Sequence, residues 1–183
     1  MCICLDVLEH VPDLNLFLNE VKRVLKRNGN FFLIVPCEGQ KFTHTWLFQK
    51  LHFGQNLTYR YFGHVHPEFT HEYVLALLKK HGFYTEGTAY SEHLFYQCMH
   101  LLLLFLPKRL LELLIGEGKT SEYTDSSLIK SPKNKFDPIW IARRCWLAFY
   151  NFMMMYPMNW ETIFLRKISA TAWKLHVLAK KTR

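Results

Sequence analysis

The chain has 183 residues, half of them apolar and 16% aromatic. That is material for one domain, or one domain with a sizeable appendage, and it excludes disorder by composition. A net charge of +8 suits anionic partners such as acidic lipid headgroups, nucleic acid or phosphorylated substrates, and equally a basic surface that meets only solvent.

Five cysteines, Cys2, Cys4, Cys37, Cys98 and Cys145, fit no zinc-ribbon or thioredoxin spacing, and the reading is a reducing, cytoplasmic compartment. No signal peptide is expected, because a charged n-region is lacking and Asp6 and Glu9 interrupt the first apolar stretch.

Cys2 to Leu5 reads as a short strand, with both thiols on one face. It runs into an acidic-histidine stretch, Asp6-Val7-Leu8-Glu9-His10-Val11-Pro12. Asp13 is then an N-cap, and Leu14, Phe17, Leu18, Val21, Val24 and Leu25 recur at three- and four-residue spacing, one apolar helix face. Lys26 and Arg27 suit the helix dipole, and Asn28-Gly29 is a stop. Phe31 to Val35 is continuously apolar, a pattern for a strand covered on both faces, and it ends at Pro36.

Residues 38–67 are rich in aromatics and histidines, with a short helix expected near Thr45–Leu51 and loop beyond. A long connection of this kind above a strand end is often a lid or substrate loop. Thr70 caps the next helix, Phe69 and Val74 suit a hydrophobic staple, and Tyr73, Val74, Leu77 and Leu78 are its inward face. His81-Gly82 ends it, and Phe83 to Tyr90 is a strand. Leu94 to Leu106 is nearly all apolar but too short to span a bilayer. After the break at Pro107-Lys108-Arg109 come an apolar run, Leu110 to Ile115, a turn-rich polar stretch, 116–138, and a greasy, basic-flanked segment, Ile139 to Met158. Ala170 to Ala179 alternates at the strand period, with a basic tail after it.

The fold class expected is therefore α/β, with a mainly helical apolar insertion before the final strand. Its divisions are 1–91 as a core, 92–169 as a cap or insertion, and 170–183 as final strand and tail. The interleaved Trp, Arg and Lys of the insertion also suit docking on an anionic membrane surface.

Asp6 to Pro12, then Glu20-Val21-Lys22-Arg23-Val24-Leu25-Lys26-Arg27-Asn28-Gly29, then Phe32 to Pro36, resemble the class I S-adenosylmethionine-dependent methyltransferases. The likeness is closest to the group that methylates small molecules, quinones and lipids. Phe69 to Tyr73, His81-Gly82-Phe83 and Ala172 to Lys180 match later elements of that family. The resemblance implies a Rossmann-like sheet whose last strand is antiparallel, S-adenosylmethionine as cofactor, and a cofactor wall at Leu5, Asp6 and Val7. It also implies a glycine-rich turn upstream of the Leu8-Glu9-His10-Val11 run. None of the eight glycines lies in a Gly-x-Gly pattern, so the chain reads as the C-terminal portion of such an enzyme.

In open α/β sheets ligands bind beyond the carboxyl ends of the strands, which places Asp6–His10 and Pro36-Cys37-Glu38-Gly39 around one site. His10 and Glu9 are the candidate catalytic residues, His10 suited to handling an acceptor hydroxyl near neutral pH. Their structural alternative is a turn in which Glu9 binds backbone and His10 packs beside it. Cys37, Glu38, His64 and His66 are the candidate substrate contacts, with packing as the alternative for Cys37. Asp6, Glu9, His10 and His66 also form an oxygen-and-imidazole set of the kind that holds Mg²⁺, Mn²⁺ or Zn²⁺.

Two functions compete. One is methyl transfer to a small, hydrophobic or lipid-like acceptor. The other is a non-catalytic remnant or interaction module that docks on a partner or membrane. Nucleic acid is the weaker partner, since no aromatic-basic RNA-binding motif of known form is present.

Overall fold

The computed structural model describes residues 1–50, 63–106 and 138–182. The aromatic-rich stretch 51–62, the break at 107–109, the apolar run 110–115 and the polar stretch as far as 137 lie outside the described residues.

Strand β1, Cys2–Leu5, is followed by a single 3-10 turn at Leu8–His10 and by helix α1, Leu14–Val24. Asp13 caps α1 as its sequence position requires, its Oδ1 accepting the Leu16 N–H at 2.9 Å. Leu14, Leu18, Val21 and the C-cap Leu25 are buried, but Val24 is exposed, so the apolar stripe is narrower than the spacing suggests. The stop after α1 places Asn28, not Gly29, in the left-handed region, with φ at +58°. Gly29 is needed for a different reason. Its N–H donates to Lys26 O at 2.8 Å, and a Cβ there would lie 2.8 Å from that same oxygen.

Strand β2, Asn30–Pro36, pairs in parallel with β1. Helix α2, His44–Lys50, and helix α3, His71–Lys80, follow. Thr70 caps α3 by accepting the Tyr73 N–H at 3.1 Å, and Gly82, at φ +78°, closes it. Val74 and Leu78 are buried with Phe69, whereas Tyr73 points outward; the buried polar residue on this face is His71. Strand β3, Phe83–Ser91, carries a bulge between Thr85 and Gly87. Helix α4, Leu94–His100, runs on into a π-helical turn, Leu101–Phe105. Helix α5, Pro138–Leu165, is longer than the greasy segment that announces it. Strand β4, Lys174–Lys181, starts later than its alternation implies, because residues through Trp173 are still connection.

The sheet order is β1-β2-β4-β3. The last strand therefore inserts between β2 and β3 and runs antiparallel to both. This mixed α/β sheet is compatible with a Rossmann-like methyltransferase fold. One face is the core: Cys4, Phe31, Leu33, Val35, Leu175, Val177 and Ala179 pack with the inward residues of α1 and α3. Burial of each Phe, Leu or Val among them contributes about 1.5–3 kcal/mol.

The expectation that β2 is covered on both faces does not hold. Its alternate residues Phe32 and Ile34 are only half-buried, and on β1 Ile3 and Leu5 are 59% and 50% exposed. A continuous apolar run records that both faces are apolar, not that both are covered. Among the described residues no helix is long and apolar enough to cross a membrane.

Candidate active site at the strand ends

At the end of β1 the chain turns on Asp6, which takes a φ of +50° while its N–H still donates to Ile34 O at 3.0 Å. The 3-10 turn then separates three consecutive side chains. Leu8 enters the core, Glu9 is buried at 2% exposure, and the His10 side chain stays 40% exposed.

A returning segment, Gly63 to His66, is laced to this turn. Val65 N–H donates to Glu9 O at 2.8 Å, His10 Nδ1 lies 3.1 Å from Gly63 O, and His66 Nε2 lies 2.8 Å from Val11 O. Gly63 sits at φ +73° beside the His10 ring, where a residue with a Cβ would be strained. The lacing turns His64 inward, edge-on to His10 with ring centroids 4.9 Å apart. Behind it, Glu38 is buried at 1% exposure, and its Oε1 holds His64 Nδ1.

The result is a cavity of about 260 Å³ bordered on this side by Asp6, Glu9, His10, Pro36 and His64. Its far wall is Tyr96 and His100 from α4, with Trp173 and Lys174 at the start of β4. Tyr96 stacks on His100 at 5.6 Å, and Trp173 lies 5.7 Å from the His100 ring and 5.1 Å from that of His44. Gln97 ties this wall together. Its amide nitrogen donates to Glu92 O and Thr171 O, and its oxygen accepts the His44 N–H. Glu161 of α5 accepts the Phe95 and Tyr96 N–H groups, so a side chain 65 residues away caps α4. Beyond His44 and Gln97 lies a second, apolar cavity of about 520 Å³, lined by Phe42, Trp46, Leu47, Leu94 and Leu101.

The electrostatics follow from burial. Burial raises the Glu9 carboxyl above its usual range, and its Oε2 has no hydrogen-bond partner among the described residues. Burial lowers His44 to about 4 and His100 to about 3, so both are neutral at pH 7. Lys174 Nζ reaches Asp6 Oδ2 at 2.9 Å and Glu92 Oε1 at 3.2 Å. Burial alone would lower Lys174, but Glu92 and Asp6 outweigh it and hold the amine above its ordinary value. Burial lifts Glu92 to about 7.

The sequence-derived candidates separate in space. Glu9, His10 and His64 converge, offering one ligand atom each, with all three atoms within 4.8 Å of one another. Asp6 borders the cavity but is paired to Lys174. His66 lies outside the trio: its nitrogens face Val11 O and Glu68, and its ring stacks on Phe69 at 4.7 Å. Cys37 is wholly buried in the core, its thiol near Val35 O and pushed up by burial, rather than lining the cavity. Glu38 is not among the residues that line the cavity but bonds His64, which is. Leu5 and Val7 are exposed and do not line the cavity. Tyr96, His100, Trp173, Lys174 and Glu92 were not among the sequence candidates. Their one sequence signal was the polar His93, Gln97 and His100 inside an otherwise apolar run.

The family model described as a methyltransferase domain matches residues 1–33. No curated protein matches the chain. The matched residues carry β1, the Asp6–His10 turn, α1 and the first half of β2, and it is this segment that is similar to a methyltransferase domain.

Proposed function

We propose that the cavity at the carboxyl ends of β1 and β2 is the acceptor site of methyl transfer to an oxygen of a small, hydrophobic acceptor, with S-adenosylmethionine as donor. The observation that carries the reading is that Glu9 and His10, inside the methyltransferase-matched segment, meet His64 and Lys174 on one cavity. The residues present fit one side of the donor: Asp6, at its positive φ, puts a carboxylate at the strand end, flanked by exposed Leu5 and Val7. When bound, the donor supplies a methyl group on a positively charged sulfur.

Glu9 and His10 position the acceptor oxygen and ease the loss of its proton. The stacked Tyr96, His100 and Trp173 hold an apolar body against them, and burial keeps the His100 ring neutral. Alignment is the larger part of the catalysis, since well-oriented reactants alone recover much of the barrier. The apolar cavity beyond His44 accommodates a hydrophobic tail.

The test is transfer of label from a methyl-labelled donor to a prenylated phenol, read as solvent-extractable product. His10→Ala is expected to lower kcat by about 10²–10⁴-fold. A folded chain that shows neither donor binding by calorimetry nor labelled product would overturn the proposal in favour of a non-catalytic module.

A further inference from the structure

The hydrogen bonds around Glu9, His10 and His64 fix which nitrogen of each ring bears a proton. A carbonyl oxygen only accepts, so His10 Nδ1, 3.1 Å from Gly63 O, is the protonated nitrogen of the neutral ring. His10 Nε2 keeps its lone pair and is the nitrogen that faces Glu9 Oε1, at 3.9 Å. The same logic holds for His64. Its Nδ1 is bonded to the buried Glu38 carboxylate, so in the neutral ring Nε2 is the basic nitrogen. A histidine whose one nitrogen donates to a carboxylate or a backbone carbonyl is oriented to ligate through the other.

Glu9 supplies the third group. It is 2% exposed, and its Oε2 has no hydrogen-bond partner among the described residues. A buried carboxylate with an unmet oxygen is costly unless a cation compensates it. No ammonium or guanidinium forms an ion pair with Glu9 among the described residues, where the ring it pairs with is that of His10, with Nε2 at 3.9 Å. Asp6 and His66 do not compete for the role, since each is already bonded elsewhere.

One ligand atom from each of the three residues lies within 4.8 Å of the others. Around an ion bound at about 2.1 Å, such atoms would be about 3.4 Å apart. Closure therefore needs side-chain shifts of about 1 Å, which the half-exposed His10 can supply. All three residues border the 260 Å³ cavity, so the remaining coordination positions face it.

We infer that Glu9, His10 and His64 form a binding site for a divalent first-row transition metal, with Glu38 and the Gly63 carbonyl setting the ligand tautomers, and that its open positions take the acceptor oxygen. Two imidazoles and one carboxylate select such ions over Mg²⁺ or Ca²⁺, which want oxygen ligands throughout. A metal at this point would lower the pKa of a bound hydroxyl, the task assigned above to Glu9 and His10. The acceptor clause rests on the methyl-transfer proposal; the metal site does not.

The test is a titration of the chelator-stripped full chain with Co²⁺, read by its visible absorption, with Zn²⁺ as competitor and Mg²⁺ as comparator. One Co²⁺ per chain is expected, displaced by Zn²⁺ and indifferent to Mg²⁺ excess. Glu9→Gln and His64→Gln abolish stoichiometric binding. Glu38→Gln weakens it by about 10–100-fold, and His66→Gln leaves it unchanged. Far-UV circular dichroism establishes that each variant is folded; should His64→Gln not fold, the near-isosteric Glu9→Gln decides. Absence of a stoichiometric band, or a band that Glu9→Gln leaves intact, would overturn the site. Stoichiometric Co²⁺ binding in a chain without methyl transfer would retain the metal site and refute the acceptor clause.

Discussion

Glu92 gives the sharpest quantitative test of how the cavity wall is held. It leaves β3 at φ +58°, is buried, and contacts Lys174 through one oxygen while the other has no hydrogen bond among the described residues. Burial is the main cause of its raised carboxyl, with the nearby Asp6 adding to it and Lys174 opposing, and the value rises from 4.5 to about 7. Below the unfolded value the carboxyl is protonated in both states and no penalty exists. Above about 7 it is ionised in both, and the folded state bears the full cost of the buried charge. A shift of this size corresponds to about 3 kcal/mol. The contribution is therefore lost as pH rises through the window from about 4.5 to about 7. Glu92→Gln keeps the shape and the oxygen facing Lys174 but removes the ionisation. Urea unfolding of the wild type and the variant, repeated across that window, should show the variant gaining on the wild type by about 3 kcal/mol from its acid to its alkaline end. A difference that stays constant with pH, or runs the other way, would refute the account.

Two further expectations concern the scaffold. Burial lowers His71 from 6.5 to about 4, so it contributes stability that is present above about pH 6.5 and lost as pH falls toward 4. His71→Gln should remove about 3 kcal/mol of the acid-induced loss, and an unchanged acid slope would contradict the burial. Gly29→Ala forces a Cβ to within 2.8 Å of a backbone oxygen in the tight turn between α1 and β2. It should cost about 1–3 kcal/mol of unfolding free energy, and a change below about 0.5 kcal/mol, the range of ordinary surface substitutions, would show that the turn relaxes.

What could be read from the sequence was what is local. α1 and α3 announced themselves by apolar spacing and by the caps Asp13 and Thr70, both of which accept the bonds expected of them. The near side of the cavity was legible because Asp6, Glu9 and His10 lie within five residues of one another at a strand end. The far side was not. Tyr96, His100, Trp173 and Lys174 come from two places far along the chain, and their convergence depends on Gln97 and on the Glu161 cap, contacts between residues more than 50 positions apart. His64 and His66 show the same limit on a smaller scale. Both were named, but which of them turns inward is decided by the pairing of Val65 N–H with Glu9 O, a register no local pattern encodes. Cys37 was placed at the cavity because it follows a strand end; the backbone bond from Cys37 N–H to Trp173 O turns it into the core instead.

The charge of the cavity narrows the acceptor more than the charge of the chain does. A net +8 invites an anionic ligand, yet the cavity brings Asp6 and Glu9 to its lining and has Glu38 and Glu92 directly behind it. Among the described residues its one cationic side chain, Lys174, is bound by two of those carboxylates. An anionic acceptor entering alone would meet carboxylates whose field Lys174 has already been used to balance, in surroundings where burial weakens screening. Beside Lys174 the wall opposite is the aromatic set Tyr96, His100 and Trp173, with His100 neutral, and the adjoining cavity is apolar. A neutral, hydrophobic molecule with one acidic hydroxyl satisfies both sides: its body packs against Tyr96, His100 and Trp173, and its oxygen develops negative charge only where a cation between Glu9, His10 and His64 can meet it. Lys180 and Lys181, at the far end of β4, place that part of the basic excess away from the surface on which the chemistry is proposed.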